Sequence, residues 1–254
     1  MSDTQIPAHA PHQPITAYYA TEADRAGFVR EMFDSTAEDY DRMETILGLG
    51  TGPWYRGQAL ERAGLKPGMR VVDVGTGTGL VARGAARITG DASLVVGVDP
   101  SPGMLASARL PEGVKLVEGR AEAIPYPDAS FDFLSMGYAL RHISDLSVAF
   151  REFHRVMKPG AKLCLLEITC PEKAWSRFLL KIYMKGLVPL LAFVFARKKN
   201  TRLLWRYYWD TIEACVPPEQ VVATLEAAGF VNARRHIDAK GMSIFAEYQA
   251  TKPE

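Results

Sequence analysis

The stretch from Val71 to Ala82 reads Val-Val-Asp-Val-Gly-Thr-Gly-Thr-Gly-Leu-Val-Ala, with Gly75, Gly77 and Gly79 at alternate positions after an apolar run. Glycines spaced in this way let the backbone turn tightly beneath a bulky ligand; Asp73 stands just ahead of them and Thr76 inside the turn. A second acid, Asp99, ends the next apolar run, 20 residues after Gly79. A carboxylate there can accept hydrogen bonds from both hydroxyls of a ribose, so these residues point to a nucleoside-containing ligand. Gly77-x-Gly79-x-x-Ala82 also satisfies the dinucleotide pattern, which makes a nicotinamide oxidoreductase the competing reading. Three details oppose it. The glycines run G-x-G-x-G behind an aspartate, Asp99 opens a turn through Pro100 that sets Met104 near an adenine, and no second α/β half follows for a substrate.

These residues need a scaffold, and the surrounding pattern supplies one. Apolar runs at 69–75, 93–99, 114–119, 131–137 and 161–169 read as strands, and helical patterns at 79–89, 102–109 and 146–157 lie between them. Alternation of this length predicts an α/β, Rossmann-like, mostly parallel sheet with helices on both faces. Residues 231–237 and 242–251, separated by Asp238 to Gly241, read as a C-terminal antiparallel hairpin, giving seven strands in all. Residues 22–63 read as two or three helices broken at 47–53. The expected organisation is a mobile tail (1–24) and a single domain (25–254). That domain divides into a ligand-binding core (65–170), a helical insert acting as a lid (171–216), and a C-terminal helix with the hairpin (217–254).

Four segments, VVDVGTGTG, GVDPSPGML, AEAIPYPDASFDFLSMGYALRHISD and FHRVMKPGAKLCLLE, resemble in order and spacing the motifs of class I S-adenosylmethionine-dependent methyltransferases. The resemblance implies S-adenosyl-L-methionine as cofactor. By it, Asp73 and the glycine loop face the methionine part, and Asp99 holds the ribose beside Pro100. Met104 and the backbone of Ala121, next to Glu122, meet adenine. Ser135 and Met136 pass beside the sulfonium. Arg120 stands where many relatives carry Asp or Asn. Beyond this core, residues 32–56, YALRHISD (138–145) and TIEACVPPEQVVATLEAAGF resemble the ubiquinone/menaquinone biosynthesis C-methyltransferase family. Within that likeness His142 replaces the usual Asn, and Ala246 and Glu247 stand where the family tends to carry a His motif.

Carbon methylation of a phenolic ring asks for a base to remove a ring hydroxyl proton and a group to stabilise the oxyanion. His142 lies just past the fourth expected strand, at the carboxyl edge where open α/β sheets bind ligands, and is the first candidate for the base. Arg141 is the candidate phenolate partner, with an ion pair to Asp145 as its structural alternative. Tyr40 could position the ring, Tyr138 could face it, and Glu167 is a second base. A different chemistry, O- or N-methylation of a lipid headgroup or secondary metabolite, is the alternative, and a scaffold that only binds the cofactor is a third reading.

Composition narrows the partners. A net charge of +1 over 254 residues gives no general affinity for nucleic acid. Yet 173–207 holds nine Lys or Arg and no acid, leaving the remainder net acidic. Lys173, Arg177, Lys181 and Lys185 recur every four residues, with Trp175, Phe178, Leu179 and Ile182 on another face. This pattern predicts a helix that grazes an anionic membrane surface, followed by a ten-residue uncharged run, Leu187 to Ala196. Ten residues with Pro189 inside are too few to span a bilayer, so the run is expected to cover a small apolar or lipid-like acceptor. Three scattered cysteines fit a reducing, cytoplasmic compartment, and neither they nor the five histidines have metal-ligand spacing.

Overall fold

Val71, Val95, Phe133, Cys164 and Leu166 pack one face of a sheet, and Val72, Val74, Val96, Val98, Leu134 and Met136 pack the other. Strands apolar on both sides are the signature of a sheet sandwiched between helices. The computed structural model describes residues 10–196, 200–237 and 244–254. Among these residues seven strands form one sheet: β1 (Val71–Val74), β2 (Val95–Asp99), β3 (Lys115–Glu118), β4 (Phe131–Gly137), β5 (Met157–Ile168), β6 (Val231–Ile237) and β7 (Phe245–Thr251). Their order is β3-β2-β1-β4-β5-β7-β6. The first five are parallel, and β7 is antiparallel to both β5 and β6. This is the fold class expected from the sequence. The connection 238–243 and the first nine residues lie outside the described residues.

Nine helices accompany the sheet among the described residues: α1 (Glu22–Leu47), α2 (Gly52–Arg62), α3 (Leu80–Thr89), α4 (Pro102–Ser107), α5 (Leu146–Val156), α6 (Ala174–Ile182), α7 (Val188–Phe195), α8 (Thr201–Ala214) and α9 (Pro218–Ala227). Helices α2 and α3 cover one face of the sheet, and α5 and α9 the other. Asp145 caps α5, accepting from the backbone N–H groups of Ser147 (2.8 Å) and Val148 (3.2 Å). It is thereby committed to the helix end rather than to Arg141. A third cluster, rich in aromatics, joins α1 to α6, α7 and α8 at the end of the sheet.

Two expectations are corrected. The segment before residue 25 is not a free tail from Ala10 onward. Ala10 and His12 are buried, Pro11 accepts a hydrogen bond from Val216 N at 2.8 Å, and Tyr19 enters the aromatic cluster. His12 Nε2 lies 3.0 Å from Arg25 Nη2, and the same Arg25 nitrogen donates to Arg141 O at 2.5 Å. The pattern had hidden this because short aromatic and histidine positions among prolines show no periodicity.

The insert also differs. Helices α6 and α7 are joined by a single wide π-turn, Tyr183–Leu187, into one continuous helix, Ala174–Phe195, of 22 residues. Ser176, Leu180, Met184, Val188 and Ala192 form its buried stripe. A four-residue spacing drifts around an α-helix, and the extra residue of the π-turn re-registers it. Pro189 falls just past that turn, where a missing N–H costs little. The element is thus long and apolar enough, by length and composition, to cross a membrane, contrary to the expectation of a short broken run. Arg197, Lys198 and Lys199, the basic residues that close the uncharged run and are read from the sequence as a headgroup contact, lie outside the described residues.

Candidate functional site

Order reversal between β1 and β4 opens a crevice at the carboxyl edge of the sheet. Gly75 takes φ +65°, and a Cβ there would come within 2.7 Å of Ala139 Cβ, so only glycine lets the loop pass the β4 exit. Gly79 (φ +86°) is the N-cap of α3, where a Cβ would strike Leu110. The loop then frames a cavity of about 660 Å³, a size suited to a ligand of several rings. Gly75, Thr76, Gly77, Asp99, Pro100, Met104, Arg120, Ala121, Glu122 and Met136 all contribute to its wall.

Three of the nominated residues stand behind the wall. Asp73 is fully buried and accepts from Thr76 Oγ1 and Ser135 Oγ, both at 2.7 Å, in register across β1 and β4. It ties the loop to the sheet instead of facing the cavity, and Ser135 is spent on the same bond. Gly79 serves as the helix cap. Asp99 does reach the cavity. It accepts from Gly77 N and Ser101 N, each at 2.8 Å, which fixes its carboxylate at the β2 exit. Burial pushes both aspartates up to about 6, against the pull of those hydrogen bonds.

Helix α1 closes the crevice from above. Asp34 accepts from Ser101 Oγ (2.5 Å) and Gly103 N (2.8 Å), and seven residues later Asp41 accepts from Thr78 Oγ1. Residues seven apart share one helix face, so the two acids pin α1 across both ligand loops. Val29, Phe33 and Tyr40 then roof the cavity. These acids were not singled out in the sequence; their signal was the spacing itself.

At the far end the cavity becomes aromatic. Tyr40 and Tyr208 share a hydrogen bond between their hydroxyls at 2.8 Å. His142 stacks on Tyr207 (5.5 Å, 22°) and meets Phe33 (5.2 Å) and Tyr208 (5.6 Å) edge-on. Neither ring nitrogen of His142 has a hydrogen-bond partner among the described residues. Burial, then the charges of Arg141 and Arg25, push its pKa well below the usual histidine value, so it is a neutral imidazole. Burial likewise raises the phenols of Tyr40, Tyr138 and Tyr208. Tyr138 holds φ +60°, a costly conformation for a large side chain, where β4 turns beside the cavity.

Arg141 and Glu167 are not where the chemistry asks for them. They form a fully buried ion pair away from the cavity wall, with Arg141 Nε 3.3 Å from Thr211 Oγ1 and its guanidinium over Tyr208. Glu167 borders a separate, smaller cleft with Arg235 and Tyr248. Neither lines the main cavity. Beside Tyr40 and Tyr138 the guanidinium at the cavity wall is that of Arg56, from α2, paired with Glu44 and 5.8 Å from the Tyr138 ring. Its Nε and Nη1 have no partner. Arg62, one turn and a half further along α2, binds Glu247 at 2.5 Å and so accounts for the acid in β7.

A nucleoside crevice roofed by a helix and ending in a ring of buried aromatics defines a small-molecule transferase of the Rossmann-like kind. The chain matches the ubiE/COQ5 methyltransferase family over residues 20–252, and it belongs to that family. It is 35% identical over 210 residues to the demethylmenaquinone methyltransferase of Chlorobaculum tepidum, covering 81% of this chain and 85% of that one. It is 29% identical over 221 residues to the ubiquinone/menaquinone biosynthesis C-methyltransferase UbiE of Shewanella frigidimarina, covering 84% and 87%. The crystal structure of a possible histamine N-methyltransferase from Thermotoga maritima, 22% identical, superposes with a TM-score of 0.61 over 87% of this chain and 99% of that one, which shows the shared fold.

Proposed function

We propose that this methyltransferase uses S-adenosylmethionine to methylate a carbon of a quinol-type ring carrying an apolar tail. The observation that carries the reading is the single cavity running from the Asp99 crevice to the Tyr40, His142 and Tyr208 cluster, in a chain of this family. The residues fit the cofactor: Asp99 offers a fixed carboxylate for ribose, Met104 and Ala121 a slot for a flat base, and Gly77 an open approach for the remainder. When bound, the cofactor supplies an electrophilic methyl group. The chain's own residues align the acceptor carbon and exclude water. Among them Met136, Gly137 and the strained Tyr138 turn line the cavity.

Arg56 takes the role expected of Arg141, holding the ring oxygen in its anionic form. His142, at the ring end of the cavity, takes up the proton that the ring gives up as the methyl transfers; because burial and its cationic neighbours make it a weak base, it holds that proton only in passing to water. The acceptor thus gains one methyl and loses one proton. Among the described residues all three cysteines are free thiols, which supports a reducing, cytoplasmic compartment. The test is the quinone pool of cells from which the gene is deleted, measured by mass spectrometry. Accumulation of a species lighter by one methylene is expected. An unchanged quinone pool, with demethylated lipid headgroups or other metabolites instead, contradicts the reading.

A further inference from the structure

Helix α6–α7 buries one stripe against its own domain and leaves the opposite side bare. Trp175, Phe178, Ile182, Leu190, Phe193 and Val194 are each 52–64% exposed on this one element. Soluble surfaces rarely carry so many large apolar side chains together, and such a patch marks an interaction surface. Basic side chains border it: Lys173, Arg177, Lys181 and Lys185 from the same helix, and Arg202 and Arg206 from α8.

We infer that this face docks on an anionic lipid bilayer, with the helix lying in the plane of the interface. Charge decides between the two plausible occupants. A second copy packed face to face would bring two basic rims together across a two-fold axis, which is repulsive. An anionic headgroup layer is complementary to the rim while its acyl region takes the aromatics. The helix does not cross. Lys185 and Lys181 are held to Asp210 (3.2 Å) and Glu213 (3.6 Å) of α8, and crossing would drag these pairs and the Leu180–Val188 stripe off their partners. The docked face is also joined to the cavity roof. Tyr183 Oη donates to Leu47 O of α1 (2.8 Å), and Arg42 Nη1 of α1 donates to Phe195 O (2.9 Å). An enzyme seated this way would hold its roof helix at the depth where tailed acceptors reside.

This inference stands apart from methyl transfer, because binding is read without turnover. Flotation of the full chain with vesicles of phosphatidylcholine alone, or phosphatidylcholine with phosphatidylglycerol, is the test. Binding is expected only to the anionic vesicles, and it should weaken as salt shortens the range of charge attraction. Phe178→Ser/Phe193→Ser should lower the bound fraction about tenfold or more, from lost apolar burial, and Lys173→Gln/Arg206→Gln should reduce it to the neutral-vesicle level. Retained cofactor-induced thermal stabilisation shows that each variant is folded. Absence of binding to anionic vesicles overturns the inference, and so does equal binding to both. Sedimentation velocity adds a third contradicting outcome: a dimer that the Phe178→Ser/Phe193→Ser variant dissolves would make the face a self-association surface.

Discussion

At the scale of single residues, charge is separated by depth. Asp99 is buried yet faces the cavity, and removing its charge has two opposed consequences. Burial raises its carboxyl to about 6, so it is ionised at neutral pH at a cost in stability relative to the unfolded chain. Asp99→Asn should therefore leave the unliganded melting temperature at pH 7.5 unchanged or raised. It should also weaken S-adenosylmethionine binding about 10- to 100-fold, from loss of charge-assisted hydrogen bonds of about 1.5–3 kcal/mol. Calorimetry and a thermal melt on the same preparation check both. The two guanidinium groups give a second contrast. Arg56→Gln should lower kcat/KM for the acceptor about 10- to 100-fold with cofactor affinity unchanged. Glu167→Gln, which leaves Arg141 buried without its partner, should cost about 3–5 kcal/mol of stability, seen as a lower melting temperature. The reverse pattern would restore Arg141 to the site. Asp99 and the glycine loop were legible in the sequence because a tight turn and a strand-end carboxylate are local features. Arg141 was misplaced because adjacency to a motif says nothing about which side of a backbone turn a side chain takes. Arg56 escaped notice because only the packing of α2 against α3 and β5 brings it to the wall.

At the scale of elements, the described N-terminal segment and α1 act together. Pro11 and His12 bridge Val216, in the connection between α8 and α9, to Arg25 of α1, and α1 carries Asp34 and Asp41 down onto the two ligand loops. His12 is pushed down to about 4, first by burial and then by the charge of Arg25. Its unfolded value is 6.5, so between pH 6.5 and about 4 the unfolded chain binds a proton that the folded one does not. The stability that depends on neutral His12 is complete above pH 6.5 and falls as pH drops to about 4. Asp73 and Asp99, raised to about 6, act in the opposite direction below that pH. The effect of His12 is therefore read as a difference: His12→Gln should melt closer to its own neutral-pH value at pH 5 than wild type does. An identical acid slope in the two proteins would mean that His12 is not held neutral. Such a bridge was invisible in the sequence, where a histidine among prolines looks like an unstructured tail. The helical periods of α3 and α5, by contrast, were plain.

At the scale of the molecule, the alternating strands and helices and the closing hairpin were legible in apolar runs, helical periods and the Gly and Pro turn signals between them, all of which are local features. The insert did not follow so simply. Its continuity through Tyr183–Leu187 depends on a π-turn that re-registers the buried stripe against α8, a tertiary demand that no local propensity encodes. The resulting body has one cavity end built for a nucleoside, one built for a ring, and a basic apolar face outside. The central claim is the transfer of a methyl group to ring carbon. Incubating the purified protein with S-adenosylmethionine labelled with carbon-13 in its methyl group and a short-tailed naphthoquinol, then recording the carbon spectrum of the extracted product, tests it most directly. The account predicts a label resonating as a methyl on an aromatic carbon, with S-adenosylhomocysteine formed in equal amount. A label found on oxygen as a methyl ether, or turnover of the cofactor with no labelled ring, would contradict it.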